Sequence, residues 1–422
     1  MSAASIAGRA AWLSDPHLQK LLAALSVDGD EARIAGGAVR NALLDEDVAD
    51  IDIATTSLPE DSAKRAAAAG FRTVPTGVEH GTVTVVAGGR GYEVTTLRAD
   101  VETDGRRARV RFGRDWSADA ERRDFTINAL YATADGDVID LVGGLADLHT
   151  RTLRFIGDPE ARIREDYLRI LRFFRFFAWY GSGRPDADGL RACARLKDGM
   201  ERLSAERVWH ELKRLLAAPD PSRALLWMRQ TGVLTKVLPE SEKWGIDAIH
   251  PLVAAERDLR WNADAMLRLE AVVPPDASRM RGLAERLRLS GAEAERLQKW
   301  AACPPLPPAA TDAQASRHLY REDRQATLDR LRLALASARR RALEDDGSLI
   351  EAAGLLRLLR FSEKWRKPVF PLKGSDLKSQ GVKPGPELGA RLRRLEEEWI
   401  VSGFRLDRVA LLGRARNLTE PG

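Results

Sequence analysis

"GGAVRNALLDEDVADIDIATT", residues 36–56, places two glycines, an arginine and an aspartate–isoleucine–aspartate within one short stretch. The preceding ARIA (32–35) reads as a short strand, the glycines as a turn and the residues after them as the start of a helix. ADIDIATT alternates apolar and polar residues and reads as a second strand. In a strand, residues i and i+2 share a face. Asp50 and Asp52 therefore present two carboxylates together, while Ile51 and Ile53 face a core. Two like charges on one face call for a cation. Mg²⁺ is the natural candidate, because it takes hard oxygen ligands and shares them with substrate phosphates. Gly36 and Gly37 let a ligand approach the backbone, the helix start favours anions, and Arg40 can fork onto phosphate oxygens. A nucleoside triphosphate with Mg²⁺ fits between these groups. There is no Gly-Lys-Ser/Thr, so this is not a Walker loop. The plain alternative is an exposed strand with two surface aspartates.

Around this stretch, the first 150 or so residues mix helix and strand signals. Apolar residues from Trp12 to Leu25 recur at helical spacing, and a helix is expected over 59–69. FRTVPT, HGTVTVVAG and GYEVTTLRA read as strands, with Gly88 and Gly89 forming a hairpin turn. Glu93 lies on the last of these strands and is the third candidate carboxylate. With Asp50 and Asp52 it would complete a two-metal site, one metal activating a hydroxyl and the other holding a triphosphate. His80 sits nearby and reads as structural or phosphate-proximal. Residues 104–116 (DGRRARVRFGRDW) show no clear period and read as a mobile loop. SADAERRDFTINALY (117–131) reads as a helix, and the sheet region closes near residue 155. From Pro159 onward helical spacing dominates, beginning with a long helix over 159–180, and the proline-rich CPPLPPAATD (303–312) reads as a linker. The expected fold class is α+β: a mixed-sheet head with helices, followed by an all-α remainder. The expected segments are an N-terminal helix (1–30), the head (31–157), a helical neck (158–217), a helical body (218–345) and a helical tail (346–422).

The chain has 422 residues, 44% hydrophobic and 31% charged, a balance that suits globular domains. No apolar run is long enough to span a membrane, and the N-terminus lacks the apolar core of a secretory signal. Cys193 and Cys303 form neither a disulfide framework nor a metal spacing, so a cytoplasmic setting is expected. Formal charge is unevenly spread: residues 1–150 carry −8 and residues 151–422 carry +13. A basic second part suits a polyanion such as nucleic acid, although arginine-rich helices alone would also give it.

The glycine turn followed by Asp-x-Asp follows the order used by the DNA polymerase β-like nucleotidyltransferases. More specifically, the sequence resembles the bacterial-type (class II) CCA-adding tRNA nucleotidyltransferases and the related bacterial poly(A) polymerases. ERRDFTINAL (121–130), DLVGGLADL (140–148), EDYLRILRFFRF (165–176) and LSAERVWHELKRLL (203–216) carry the resemblance, with LKGSDLKSQGVKPGPELGARL (372–392) a looser match in the tail. It is strong over about residues 30–230. It implies a polymerase β-like head, Mg²⁺ on Asp50, Asp52 and Glu93, tRNA as partner, and CTP and ATP as substrates. No protein partner is implied. It further implies that Arg122, Arg123, Asp124 and Asn128 contact ribose and triphosphate, and that Asp166 and Arg169 read the base. The stretch 100–116 occupies the place of the family's flexible loop, which takes part in switching from C to A. One departure stands out: Asn41 occupies a position where the family usually has Asp.

Base choice also has a physical reading. Asp only accepts hydrogen bonds and Arg only donates. Cytosine and adenine both place an amino donor beside a ring-nitrogen acceptor, whereas uracil and guanine reverse that order. An Asp166–Arg169 pair thus matches C and A and leaves polar groups unpaired against U and G. Arg172 and Arg175 follow at three-residue steps and are expected to face the triphosphate. Phe173, Phe174, Phe176, Phe177 and Trp179 read mainly as core. The competing readings are a poly(A) polymerase, an enzyme adding only A, and an inactive RNA-binding protein on the same scaffold. Tyr167, where the polymerases usually carry proline, favours CCA addition.

Overall fold

The computed structural model describes residues 4–77, 81–103, 108–242 and 244–416. It divides into two compact units, Met1–Pro239 and Glu240–Gly422. In the first, helix α1 (Pro16–Leu25) buries Leu18, Leu21, Leu22 and Leu25, and β1 (Ala32–Ala35) leads through the glycine turn into α2 (Gly37–Leu43). Next come β2 (Asp52–Thr55), α3 (Pro59–Ala68), β3 (Arg72–Gly77), β4 (Thr82–Ala87) and β5 (Arg90–Thr96). After a separate hairpin of β6 (Arg98–Thr103) and β7 (Ala108–Phe112), α4 (Trp116–Glu121), β8 (Leu130–Ala132), β9 (Val138–Asp140) and α5 (Gly144–His149) complete the head.

The main sheet has the order β3-β4-β5-β2-β1-β8-β9. It is mixed: β2 and β5 run parallel, and every other neighbouring pair is antiparallel. The β2–β5 register sets Asp52 opposite Glu93. Ile51 and Ile53 are buried and Asp52 stands at the open end of β2, while Ala54 and Thr55 beyond it are buried as well.

Three local expectations change. Residues 98–103 and 108–112 pair as antiparallel strands where a loop was expected over 104–116; Asp104–Arg107, like His80, lie outside the described residues. The helix expected over 117–131 ends at Glu121. There Phe125 takes an extended backbone, φ −126° and ψ 147°, and packs fully buried against Phe155 at 4.9 Å and Phe176 at 5.3 Å between ring centres. Burying an aromatic ring of this size contributes about 2–3 kcal/mol, which favours this extended conformation. The helix expected over 159–180 is two: α6 (Pro159–Glu165) and α7 (Leu168–Tyr180). Asp166 between them is extended, φ −153° and ψ 109°, and its carboxylate accepts from the Leu168 N–H at 3.0 Å, starting the new helix.

α8 (Ala187–Leu196), α9 (Ala205–Leu216), α10 (Ser222–Gln230) and α11 (Val233–Val237) finish the first unit. Phe173, Phe174, Phe176 and Phe177 are buried in it, as expected. Trp179 is 40% exposed, its indole N–H donating to the Arg214 carbonyl at 2.9 Å. The described part of the second unit is helical from α12 (Ile249–Leu259) to α21 (Arg408–Arg416). Its α13 (Ala265–Val272) carries Glu270, whose carboxyl is buried near Arg296 and Asp329. Cys193 and Cys303 are both buried and free.

Candidate active site

The glycine turn owes its residues to close contact. Gly36 has φ 66°, and a Cβ there would stand 3.1 Å from Arg123 Nη1 and 3.3 Å from the Asn128 carbonyl. Positive φ and this proximity both select glycine. Gly37 opens α2, and Arg40 follows one turn later but is buried. Its Nε and Nη2 donate to Asn41 Oδ1 at 3.1 and 2.9 Å, Nη1 to Asn128 Oδ1, and Nη2 to the Tyr180 hydroxyl at 2.9 Å. The guanidinium also lies 3.9 Å from the Tyr180 ring centre. Arg40 is thus a strut joining α2 to residue 128 and the end of α7, with Nε and both Nη2 hydrogens engaged by the protein. Asn41 serves that strut with an amide oxygen, while its Nδ2 donates to the Asp47 carbonyl at 2.8 Å.

Asp52 opens β2 and Asp50 precedes the strand. Partial burial, then Glu93, pushes the Asp52 carboxyl above its ordinary pKa; Asp50 adds to the rise and Arg123 opposes it. A cluster of carboxylates that raises the pKa of Asp52 is a hard-oxygen donor set of the kind Mg²⁺ takes. Among the described residues no group of three His, Cys, Asp or Glu side chains is arranged to hold a metal by itself. One or two carboxylates completed by phosphate oxygens is the usual Mg²⁺ arrangement, and Asp52 with Glu93 fits it.

The segment after α4 is built on two carboxylates. Asp119 is buried and pairs with Arg122 at 2.6 Å and Arg123 at 3.1 Å, while Tyr131 donates its hydroxyl to Asp119 Oδ2 at 2.7 Å. Burial raises the Asp119 pKa, but Arg123 and Arg122 outweigh it and hold the carboxyl below its ordinary range. Asp124 is also buried, accepting from Arg172 Nε at 2.8 Å, Asn128 Nδ2 at 3.0 Å and the Phe125 N–H at 2.9 Å. Its pKa is likewise lowered, Arg172 and these bonds overcoming desolvation. Arg175 is buried against Glu211 of α9, Nε to Oε2 2.5 Å.

At the α6–α7 break, Asp166 Oδ2 accepts from Arg207 Nη2 of α9 at 2.6 Å. Arg169 does not reach Asp166: its Nη1 donates to Glu165 and to the Arg162 carbonyl at 2.6 Å. Arg162 in turn donates to Glu165 at 2.7 Å and to the carbonyls of Arg122 and Arg123, the latter at 2.6 Å. The glycine turn, Asp52, the 123–128 segment, the α6–α7 joint, α7 and α9 border one cavity of about 570 Å³. Of the residues expected from sequence, Gly36, Gly37, Arg40, Asp52, Arg123, Asp124, Asn128, Asp166, Arg169, Arg172 and Arg175 line it. Asp50, Glu93 and Arg122 do not; the first two stand beside Asp52, and Arg122 is turned onto Asp119. Sequence reasoning missed Tyr180, Arg207 and Arg214 in the lining, and Asp119 beneath it. Arg207 and Glu211 stand four residues apart in a helix, and that spacing was the available signal of a shared face.

Residues 32–154 match the poly A polymerase head domain family, and residues 185–244 match the probable RNA and SrmB- binding site of polymerase A. The mitochondrial CCA tRNA nucleotidyltransferase 1 of Mus musculus is 33% identical over 94% of this chain and 88% of its own length. The chain belongs to the CCA-adding tRNA nucleotidyltransferase family. A CCA-adding enzyme of Streptococcus sanguinis is 34% identical, covering 92% of each chain. Among solved structures, the CCA-adding enzyme of Bacillus stearothermophilus in complex with CTP aligns over 95% of this chain and 96% of its own, with TM-score 0.73 and 27% identity. The CCA-adding enzyme of Thermotoga maritima complexed with tRNA shares the fold at TM-score 0.61 and 18% identity. The protein is therefore a nucleotidyltransferase of the tRNA-processing, RNA-binding class, with the α+β head and all-α remainder of its family. Among the described residues no helix is long and apolar enough to cross a membrane.

Proposed function

We propose that this enzyme adds CCA to the 3′ end of tRNA from CTP and ATP without a nucleic-acid template. The observation that carries the reading is that one cavity joins Asp52, beside Glu93, to the 123–128 segment and to Asp166 and Arg169. Asp52 with Glu93 would hold Mg²⁺, with Asp50 adding negative charge nearby; when bound, the ion neutralises triphosphate charge and makes the attacking hydroxyl more acidic. Arg123, steadied by Asp119, offers donors toward phosphate and ribose. Asp166 accepts from the base amino group, and Arg169 donates to the ring nitrogen through Nε or Nη2, its Nη1 being engaged. Pyrophosphate leaves as the 3′-hydroxyl oxygen bonds the α-phosphorus. The basic neck, body and tail (158–217, 218–345 and 346–422) grip the tRNA backbone without reading its sequence.

The test is incorporation of CTP and ATP, separately and together, into tRNA lacking CCA, tRNA ending in C or CC, and unstructured RNA. Two C residues then one A, with UTP and GTP refused, supports the proposal. A alone on the CC-ended tRNA makes the protein an A-adding enzyme, and long A tails on unstructured RNA make it a poly(A) polymerase. No incorporation at all leaves an RNA-binding protein on this scaffold.

A further inference from the structure

We infer that Arg207 is a specificity-determining positioning residue, setting the orientation in which Asp166 meets the incoming base. The inference rests on the base-reading role proposed for Asp166. A carboxylate on a flexible χ2 can turn its acceptors in many directions. Here both oxygens of Asp166 are anchored: Oδ1 by the Leu168 N–H at 3.0 Å and Oδ2 by Arg207 Nη2 at 2.6 Å. The anchor is itself braced. Arg207 and Glu211 lie one turn apart on α9, and Glu211 holds Arg175 of α7 at 2.5 Å. Two ion pairs of opposite polarity thus clamp α9 to α7 and the joint before it, one at Asp166 and one at Arg175.

Arg207 also lines the cavity beside Asp166 and Arg169. The lone pairs of Asp166 that are not used by these anchors keep a fixed direction. A C or A amino group meets an acceptor there. A U or G carbonyl meets a carboxylate that cannot turn aside, and the like-charged oxygens repel. Without Arg207 the carboxylate can rotate, accommodating the wrong bases better and the right ones less well. A bidentate-capable guanidinium is the group suited to such a hold, because its planar fork matches a carboxylate.

The experiment compares kcat/KM for CTP, ATP, UTP and GTP in wild type, Arg207→Ala, Arg207→Lys and Asp166→Ala, on tRNAs ending before each addition. Ratios between nucleotides within one preparation cancel any loss of folded enzyme. The expected result is about a tenfold or greater fall in CTP-over-UTP and ATP-over-GTP preference for Arg207→Ala, exceeding its fall in CTP turnover, with partial recovery in Arg207→Lys. If Asp166→Ala relaxes the preference but Arg207→Ala lowers all four nucleotides alike, the inference is overturned and the base-reading role of Asp166 stands. If Asp166→Ala leaves the preference intact, the base-reading role fails and the inference with it.

Discussion

Asp52 is the side chain on which the chemistry turns in this reading. Asp52→Ala is expected to abolish nucleotide incorporation while leaving tRNA affinity within about twofold, since RNA binding is carried largely by basic residues and backbone contacts; an active variant would remove the carboxylate from the mechanism. Tyr131 acts one step back. Tyr131→Phe deletes a charged hydrogen bond to Asp119, expected to cost about 1.5 kcal/mol in equilibrium unfolding and to raise KM for the nucleotide as Arg123 loosens. Glu270 belongs to the second unit. Burial first, and Asp329 second, raise its pKa well above the ordinary glutamate value. The folded state then keeps a proton that the unfolded state releases, so this contribution to stability is present below the ordinary glutamate pKa and is lost as pH rises toward the folded pKa. Glu270→Gln keeps the neutral shape. Its Tm advantage over wild type should be absent at acid pH and grow toward pH 8; an advantage independent of pH would show that Glu270 is not the group responsible.

At the scale of elements, the site depends on short irregular joints between regular pieces. α5 begins at Gly144, where a Cβ would fall 2.3 Å from the Thr126 carbonyl, and Asp140 accepts from the N–H groups of Val142, Gly143, Gly144 and Leu145. Gly144→Ala should therefore push back the 126–128 turn that carries Asn128, costing about 2 kcal/mol and raising nucleotide KM together with the loss in unfolding midpoint. A variant of unchanged stability and KM would mean the turn yields without consequence. The regular pieces around these joints were legible in the sequence. Alternation in ADIDIATT placed Ile51 and Ile53 inside and Asp52 outside, and Glu93 was placed on a neighbouring strand, but its register with Asp52 was not legible. The joints were less so. Asp166 breaks its helix without glycine or proline, through a carboxylate that caps the next turn. Phe125 leaves its helix because aromatic partners distant in sequence outweigh local preference. The β6–β7 hairpin did have a signal, in Ala108, Val110 and Phe112 alternating with Arg109 and Arg111, which the density of charge disguised. Arg40 was read as a free fork, whereas contacts with Asn128 and Tyr180, far along the chain, engage it.

Across the molecule, the +13 carried by residues 151–422 against −8 in residues 1–150 sets how a polyanion is met. Affinity for tRNA should fall at least about tenfold between about 50 and 200 mM salt, because each neutralised phosphate releases counterions. A flat salt response would point to recognition by shape and stacking instead. The exact surfaces follow from side chains the sequence alone could not orient, since both arginine-rich faces and solvated helices share one composition. The Arg162 bridge reaches further than its size implies. It holds Glu165, which holds Arg169, and also the carbonyls of Arg122 and Arg123. Arg169, the proposed base reader, and the 122–123 backbone therefore share one chain of hydrogen bonds. If Arg169 reads the base as proposed, a mismatched nucleotide that displaces it would disturb the 122–123 backbone through Arg162, and fidelity would then be expressed in the catalysed step more than in occupancy.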